Sequence, residues 1–226
     1  MTMAGQGVLA FWHDVAGGSE GEFDQWHLRE HIPERVGVPG FLRARRYTTL
    51  GGPPRYFYFY ETESLDTLQS PAYLARLADP TPWTRRTMPV VRNNKRTACR
   101  VVESRGAGLG GVIATLELGP TPGREEELRA WLTGTALRSA GEHPSMVATH
   151  LLQGDASVST AAVSDEKKLL ATPDALVRWV VLIEGIDHAA LEAVCHELLG
   201  PDALVRRGAT EATTLGLYRL QLVYGK

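Results

Sequence analysis

The feature that most limits how this chain can fold is that its apolar landmarks occur twice. Trp26 and Trp131, Pro39 and Pro144, and Phe41 and Met146 are each 105 positions apart, and Phe11 and Leu116 share that spacing. Self-similarity at one fixed offset means a single supersecondary unit used twice. The 226 residues therefore divide into a first unit, 1–105, and a second, 106–226, that opens on Gly106-Ala107-Gly108. Glu61 and Glu184 keep the correspondence at an offset of 123, so the second unit carries about 18 extra residues. These fall at 157–174 (VSTAAVSDEKKLLATPDA), polar enough to be expected as an exposed loop.

Within the first unit, 7–14 reads as a strand. Ser19 is placed to cap a helix, with Glu20 and Glu22 near its positive end. Phe23, Trp26, and Leu28 or Ile32 form an apolar stripe at helical spacing, which Pro33 weakens and 37–40 ends. Strands at 41–50 and 55–62, a helix at 64–78 and a strand at 95–104 complete the unit. The second unit repeats the order with strands at 110–118, 146–155, 175–185 and 214–225 and helices at 124–140 and 188–199. The order β-α-β-β-α-β is the ferredoxin-like arrangement, an antiparallel sheet with its helices on one face. The runs from Tyr56 to Tyr60 and from Trp179 to Ile183 are apolar at both parities, so those strands are expected to be buried on both sides. The fold class is thus α+β: two ferredoxin-like repeats packed sheet-to-sheet as an intramolecular α/β barrel.

A formal net charge of −2 gives no basic excess for nucleic acid or an anionic membrane. The cluster Arg43, Arg45 and Arg46 is expected at a solvated strand edge. Cys99 and Cys195 stand alone, which suits a reducing, cytoplasmic location. The first residues lack the pattern of a secretory leader, and no window approaches a membrane span.

One stretch then stands out. F-x-x-W-H-x-x-E-H-I-P-E runs from Phe23 through Trp26, His27, Glu30 and His31 to Pro33 and Glu34, followed by P-G-F-x-x-x-R-R-Y from Pro39 to Tyr47. This resembles the EthD-like branch of the dimeric α/β-barrel superfamily. The motif covers about 25 residues, and the element order extends the likeness loosely over both units. Members usually build the barrel from two chains, and this sequence resembles a tandem version. The superfamily includes cofactor-free oxygenases, muconolactone isomerases, polyketide cyclases and haem enzymes, so the resemblance implies a fold more firmly than a reaction.

His27-Leu28-Arg29-Glu30-His31 also reads as H-x-x-E-H, a zinc-protease pattern. No third ligand segment follows, and Pro33 interrupts the helix such a site needs, so no metal is expected. Two readings stay open for the histidines: a helix-end imidazole bonded to loop carbonyls, or an acid/base with near-neutral pKa at the barrel mouth. The E-H-x-P pattern centres on His31. The duplication bears on the choice, because His27, His31, Arg46 and His13 correspond to Leu132, Ala136, Leu151 and Leu118. Packing positions recur while polar ones do not, which points to one asymmetric site on the first unit. Tyr56, Tyr58 and Tyr60 share a strand face and are either aromatic core or the walls of a cavity.

The expected catalytic set is therefore His31, Tyr58 and Arg46, with His27, Trp26, His13, Tyr56 and Tyr60 as substrate contacts. An apolar, aromatic or lactone-like substrate would enter the barrel, His31 would move a proton, and Tyr58 and Arg46 would stabilise an oxygen gaining charge. Isomerisation, cyclisation and cofactor-free oxidation share that step. The alternatives are a haem-binding barrel protein and a non-catalytic ligand carrier. A small-molecule ligand is the expected partner, no cofactor is needed in the first reading, and a homodimer through outer surfaces is compatible with the pattern. The glycine-rich stretch 106–111 precedes a strand instead of a helix, so it reads as a linker and not a phosphate cradle.

Overall fold

The computed structural model describes residues 3–161, 164–170 and 174–225. Its first unit runs β1 (Gly7–Val15), α1 (Glu20–Trp26), α2 (Ile32–Gly37), β2 (Phe41–Thr49), β3 (Tyr56–Thr62), α3 (Pro71–Ala78), α4 (Pro82–Thr87) and β4 (Val91–Gly106). The second runs β5 (Val112–Leu118), α5 (Glu125–Trp131), α6 (Leu137–Glu142), β6 (Met146–Gly154), α7 (Ala156–Thr160), β7 (Trp179–Gly185), α8 (His188–Leu199), α9 (Pro201–Arg206) and β8 (Thr214–Gly225). Each unit orders its strands as a ferredoxin-like sheet, β4-β1-β3-β2 and β8-β5-β7-β6, with every ladder antiparallel.

The sheets meet edge to edge and close one eight-stranded barrel. β4 spans 16 residues, well beyond the expected 95–104, because it serves both sheets. Residues Val91 to Arg100 pair with β1, and Cys99 to Gly106 pair with β6. β8 does the same between β5 and β2. Closure pairs each of the eight strands on both sides, which removes the open edges that template aggregation.

Alternation along the strands sends one set of side chains inside. Val8, Ala10, Trp12, Phe57, Phe59, Val180 and Leu182 fill the barrel with Tyr47, Ile113 and Tyr218. At one end of this interior lies a polar cluster. Arg45 donates to Glu61 at 2.7 Å and to Glu184 at 2.6 Å, and all three side chains are fully buried. His150, which corresponds to Arg45 in the repeat, contacts Glu184 at 3.0 Å. Burial acts to raise the Glu184 pKa, but the His150 hydrogen bond and the Arg45 charge outweigh it and bring it down to about 2. Gly110 of the linker adds its N–H to Glu184 at 2.9 Å. The expectation of a solvated edge for Arg43, Arg45 and Arg46 is therefore corrected. Arg45 and Arg46 are buried, and Arg43 pairs with Glu61.

The helices lie outside the barrel. In each unit the long helix is interrupted by one π turn, at His27–His31 and at Leu132–Ala136. The Ile32 N–H bonds the His27 carbonyl and the Leu137 N–H bonds the Leu132 carbonyl, five residues back in each case. The second unit carries Arg138 where the first has Pro33, so proline does not cause the wide turn. The two histidines accordingly sit mid-helix, not at a helix end.

Three local expectations change. Ser19 makes no side-chain cap. The 64–78 helix is split into a short 3₁₀ turn, Leu65–Gln69, and α3, because Pro71 starts a fresh helix capped by Ser70. The described residues of the insertion are only in part exposed. Ser159 and Glu166 are buried, and Val158 and Leu170 pack against the first unit. Residues 162–163 and 171–173 of that stretch lie outside the described residues.

Candidate functional site

The side chains singled out above come together on the outer face of the first sheet, beneath its helices, and not inside the barrel. Leu9, Phe11 and His13 of β1 and Tyr56, Tyr58 and Tyr60 of β3 point outward, opposite in parity to the interior set. Strand pairing sets Phe11 beside Tyr58 and His13 beside Tyr56. The Phe11 and Tyr58 rings stack at 4.7 Å. From above, the π turn lowers His27 to within 4.4 Å of the Tyr58 ring and sets His31 5.5 Å from His27. Trp26 lies 4.5 Å from His31, and its indole N–H is fixed by Thr84 of α4 at 3.2 Å.

A narrow cleft opens here, with a cavity volume of about 40 Å³. Trp26, His31, Tyr58 and Tyr60 line it, together with Phe11 and residues that the sequence did not reveal: Arg35, Arg96, Glu166 and Lys167. His13, His27, Tyr56 and Arg46 do not line it; they back the wall. Arg46 is committed to Asp24 and lies over the Tyr56 ring at 4.9 Å. The position expected to hold a substrate oxygen thus supports Tyr56 from behind. The cleft is completed by the insertion of the second unit, since Glu166 pairs with the buried Arg35, which also holds Glu34 at 3.0 Å.

The electrostatics differ from the near-neutral pKa expected for a helix-end histidine. Burial, then the Arg46 charge, push His27 well below the usual imidazole range. Burial, then Arg35, do the same to His31. Burial lowers His13 to about 4 despite its bond to the Asp14 carbonyl at 2.9 Å. All three rings are therefore neutral at pH 7. Among the described residues, both nitrogens of His27, Nδ1 of His31 and the Tyr60 hydroxyl have no hydrogen-bond partner. Leaving a buried polar atom unpaired costs about 1–3 kcal/mol, so these atoms do not add to the stability of the fold. Burial also raises the Tyr58 phenol above its usual range, which keeps it a proton donor in hydrogen bonds. Glu30, the acid of H-x-x-E-H, accepts from Thr81 at 2.5 Å. No group of three metal-binding side chains occurs among the described residues.

No family model matches the sequence, and no curated protein matches it. Solved structures do. An anthrone oxidase-like protein superposes with a TM-score of 0.65 at 14% identity, covering 97% of this chain and 92% of the other. A candidate monooxygenase from Fusobacterium nucleatum gives 0.60 at 9% identity, covering 99% and 96%. A haem-binding protein from Thermus thermophilus gives 0.50 at 12% identity, covering 96% and 92%. The chain thus has the fold of the ferredoxin-like α/β-barrel proteins, built here as a closed barrel within one chain. At these identities the likeness establishes fold alone. Among the described residues no helix is long and apolar enough to cross a membrane.

Proposed function

We propose that this chain is a small-molecule enzyme of the EthD-like kind, arisen by duplication, in which His31 removes a proton from an aromatic or lactone-like substrate bound in the outer cleft. The observation that carries the reading is a neutral imidazole, short of protein partners, lining an aromatic cleft. A general base must be unprotonated at working pH, and burial next to Arg35 holds His31 in that state. The proton leaves a carbon next to a carbonyl, and the oxygen of the resulting enolate accepts a hydrogen bond from the Tyr58 phenol. Forming an anion beside the new imidazolium creates an ion pair in a water-poor site, where attraction is stronger than in solution. Trp26 and Phe11 hold the ring system. Isomerisation, cyclisation and oxidation by O₂ all pass through this enolate.

Anthrone is a suitable probe, because its acidic CH₂ gives an enolate that O₂ converts to anthraquinone and water. Oxygen uptake by the purified protein without added cofactor supports the reading, and His31→Ala should lower the rate about 10²–10⁴-fold. The pH–rate profile should stay flat from pH 8 to below 6, because His31 remains neutral there. Uptake unchanged in His31→Ala, or a profile that falls near pH 6.5, would remove His31 as the base. For isomerase or cyclase chemistry, exchange of the anthrone CH₂ protons with D₂O replaces oxygen uptake as the readout.

A second reading is haem binding. One observation favours it: His31 lines the cleft without a partner at Nδ1, with cationic side chains at the same cleft. The donor types fit: His31 would hold the iron, and Arg96 and Lys167 would pair with the propionates. Bound haem would supply redox chemistry at iron. A Soret band on haem addition, lost in His31→Ala, selects this reading over the first.

A further inference from the structure

Four arginines are buried among the described residues: Arg35, Arg45, Arg46 and Arg96. Three of them hold carboxylates, Arg35 with Glu34 and Glu166, Arg45 with Glu61 and Glu184, and Arg46 with Asp24. Arg96 forms no ion pair with any described residue. Its guanidinium donates to the Ser159 carbonyl at 3.1 Å and lies 5.9 Å from the Phe11 ring. The Lys167 ammonium converges on that same carbonyl at 3.0 Å and is likewise without an ion-pair partner among the described residues. Two cations thus share one neutral oxygen at the wall of the cleft.

Enclosing a guanidinium without an anion is costly, and a second cation beside it raises the cost. Burial, then the Arg96 charge, lower the Lys167 pKa to about 8. The Asp174 charge acts the other way on Lys167 but forms no ion pair with it; its carboxylate accepts from the Asn94 side-chain amide at 2.6 Å. The arrangement has no counterpart among the described residues of the second unit. Phe11 pairs with Arg96 in β4, and the corresponding Leu116 pairs with Leu215 in β8. Lys167 belongs to the insertion, which the first unit lacks.

We propose that Arg96 and Lys167 form an anion subsite and that the natural ligand of the cleft is an aromatic carboxylic acid. The inference rests on the reading of the cleft as a small-molecule site and adds the substrate class. The planar guanidinium suits a carboxylate, and the Phe11–Tyr58 stack next to it suits the ring that bears it. The second unit contributes specificity to a site whose proton-transfer residues all come from the first.

Calorimetric titration of the full chain with 2-naphthoate, 2-naphthalenemethanol and inorganic phosphate tests this. 2-Naphthoate should bind at least tenfold more tightly than the neutral alcohol. Lys167→Met and Arg96→Met should each cost the acid about tenfold or more and leave the alcohol unchanged. Lys167 is half-buried on the insertion, so its variant keeps the test valid should the Arg96 variant fail to fold. Equal affinity for acid and alcohol, equal losses for both ligands, or phosphate binding more tightly than naphthoate would overturn the proposal. A Soret band with no naphthoate binding assigns the two cations to haem propionates and overturns the aromatic-acid ligand. Proton transfer is judged separately: anthrone is neutral, so loss of its turnover in His31→Ala stands or falls independently of the naphthoate preference.

Discussion

The two halves of this barrel share a backbone plan and differ in what fills the space between sheet and helices. In the first half that space holds His13, His27, His31, Tyr58 and Tyr60, with a cleft among them. In the second it holds Leu118, Leu132, Ala136, Val181 and Ile183, packed with Leu128, Leu137 and Leu191 into one aliphatic core. Both have the π turn, at residues 105 apart. Such turns are often found at functional sites, yet here one of the two lies over a hydrophobic core. The turn belongs to the architecture, and the two halves differ in the side chains they hang on it. The second half contributes to the site through the insertion.

The largest structural effect is expected where the halves join inside the barrel. Arg45→Met leaves Glu61 and Glu184 buried without their shared cation, which should cost about 3–5 kcal/mol in urea unfolding. A loss under about 1 kcal/mol would mean that the halves hold together without this cluster. Next comes acid sensitivity. His13 stays neutral in the folded protein down to about pH 4, whereas the unfolded chain takes up its proton near the usual 6.5. Stability should therefore be fully present above pH 6.5 and lost on acidification toward 4, by about 3 kcal/mol from this residue. His13→Leu, which copies Leu118, should remove that part of the pH dependence. Equal slopes for variant and wild type would show that His13 is not buried uncharged.

His27→Leu copies Leu132 and should stabilise the fold by about 1–2 kcal/mol, because it removes two unpaired nitrogens from an apolar setting. A destabilised variant would mean that His27 has partners in solution, and that the halves differ less than their packing indicates. The smallest effect belongs to Pro33→Ala. Since the second half makes the same turn with Arg138, this change should stay within about 0.5 kcal/mol and leave the helix content by circular dichroism unaltered. A larger change would give the first half's turn a separate cause.

Much of the fold was legible because packing residues keep their spacing. Trp26 and Trp131, or Glu61 and Glu184, mark equivalent places in the two sheets, and the apolar stretches between them carry the period of strands and helices. The π turns were not legible, since a single extra residue in a helical turn barely disturbs an apolar stripe. The division of the candidate residues was also hidden. Arg46 and Tyr58 face each other across β2 and β3, but only side-chain packing sends Tyr58 to the cleft and Arg46 to Asp24. Lys167 and Glu166 escaped notice because a polar stretch looks solvated until its partners are known. Glu166 and Arg35 are 131 positions apart.

By itself the sequence determined the βαββαβ order of elements in each half and placed the candidate histidines and tyrosines of the cleft in the first. Local patterning suffices for this, because alternation and spacing are properties of neighbours along the chain. Only the tertiary structure decided which face of each strand became the interior. Tyr56 to Tyr60 is apolar on both faces, so alternation carries no preference between them. The choice was made by barrel closure, which encloses Phe57, Phe59 and Glu61 with the second half and leaves Tyr58 and Tyr60 to the helices. The insertion then closes over that outer face, through contacts between residues whose separation in sequence no local pattern records.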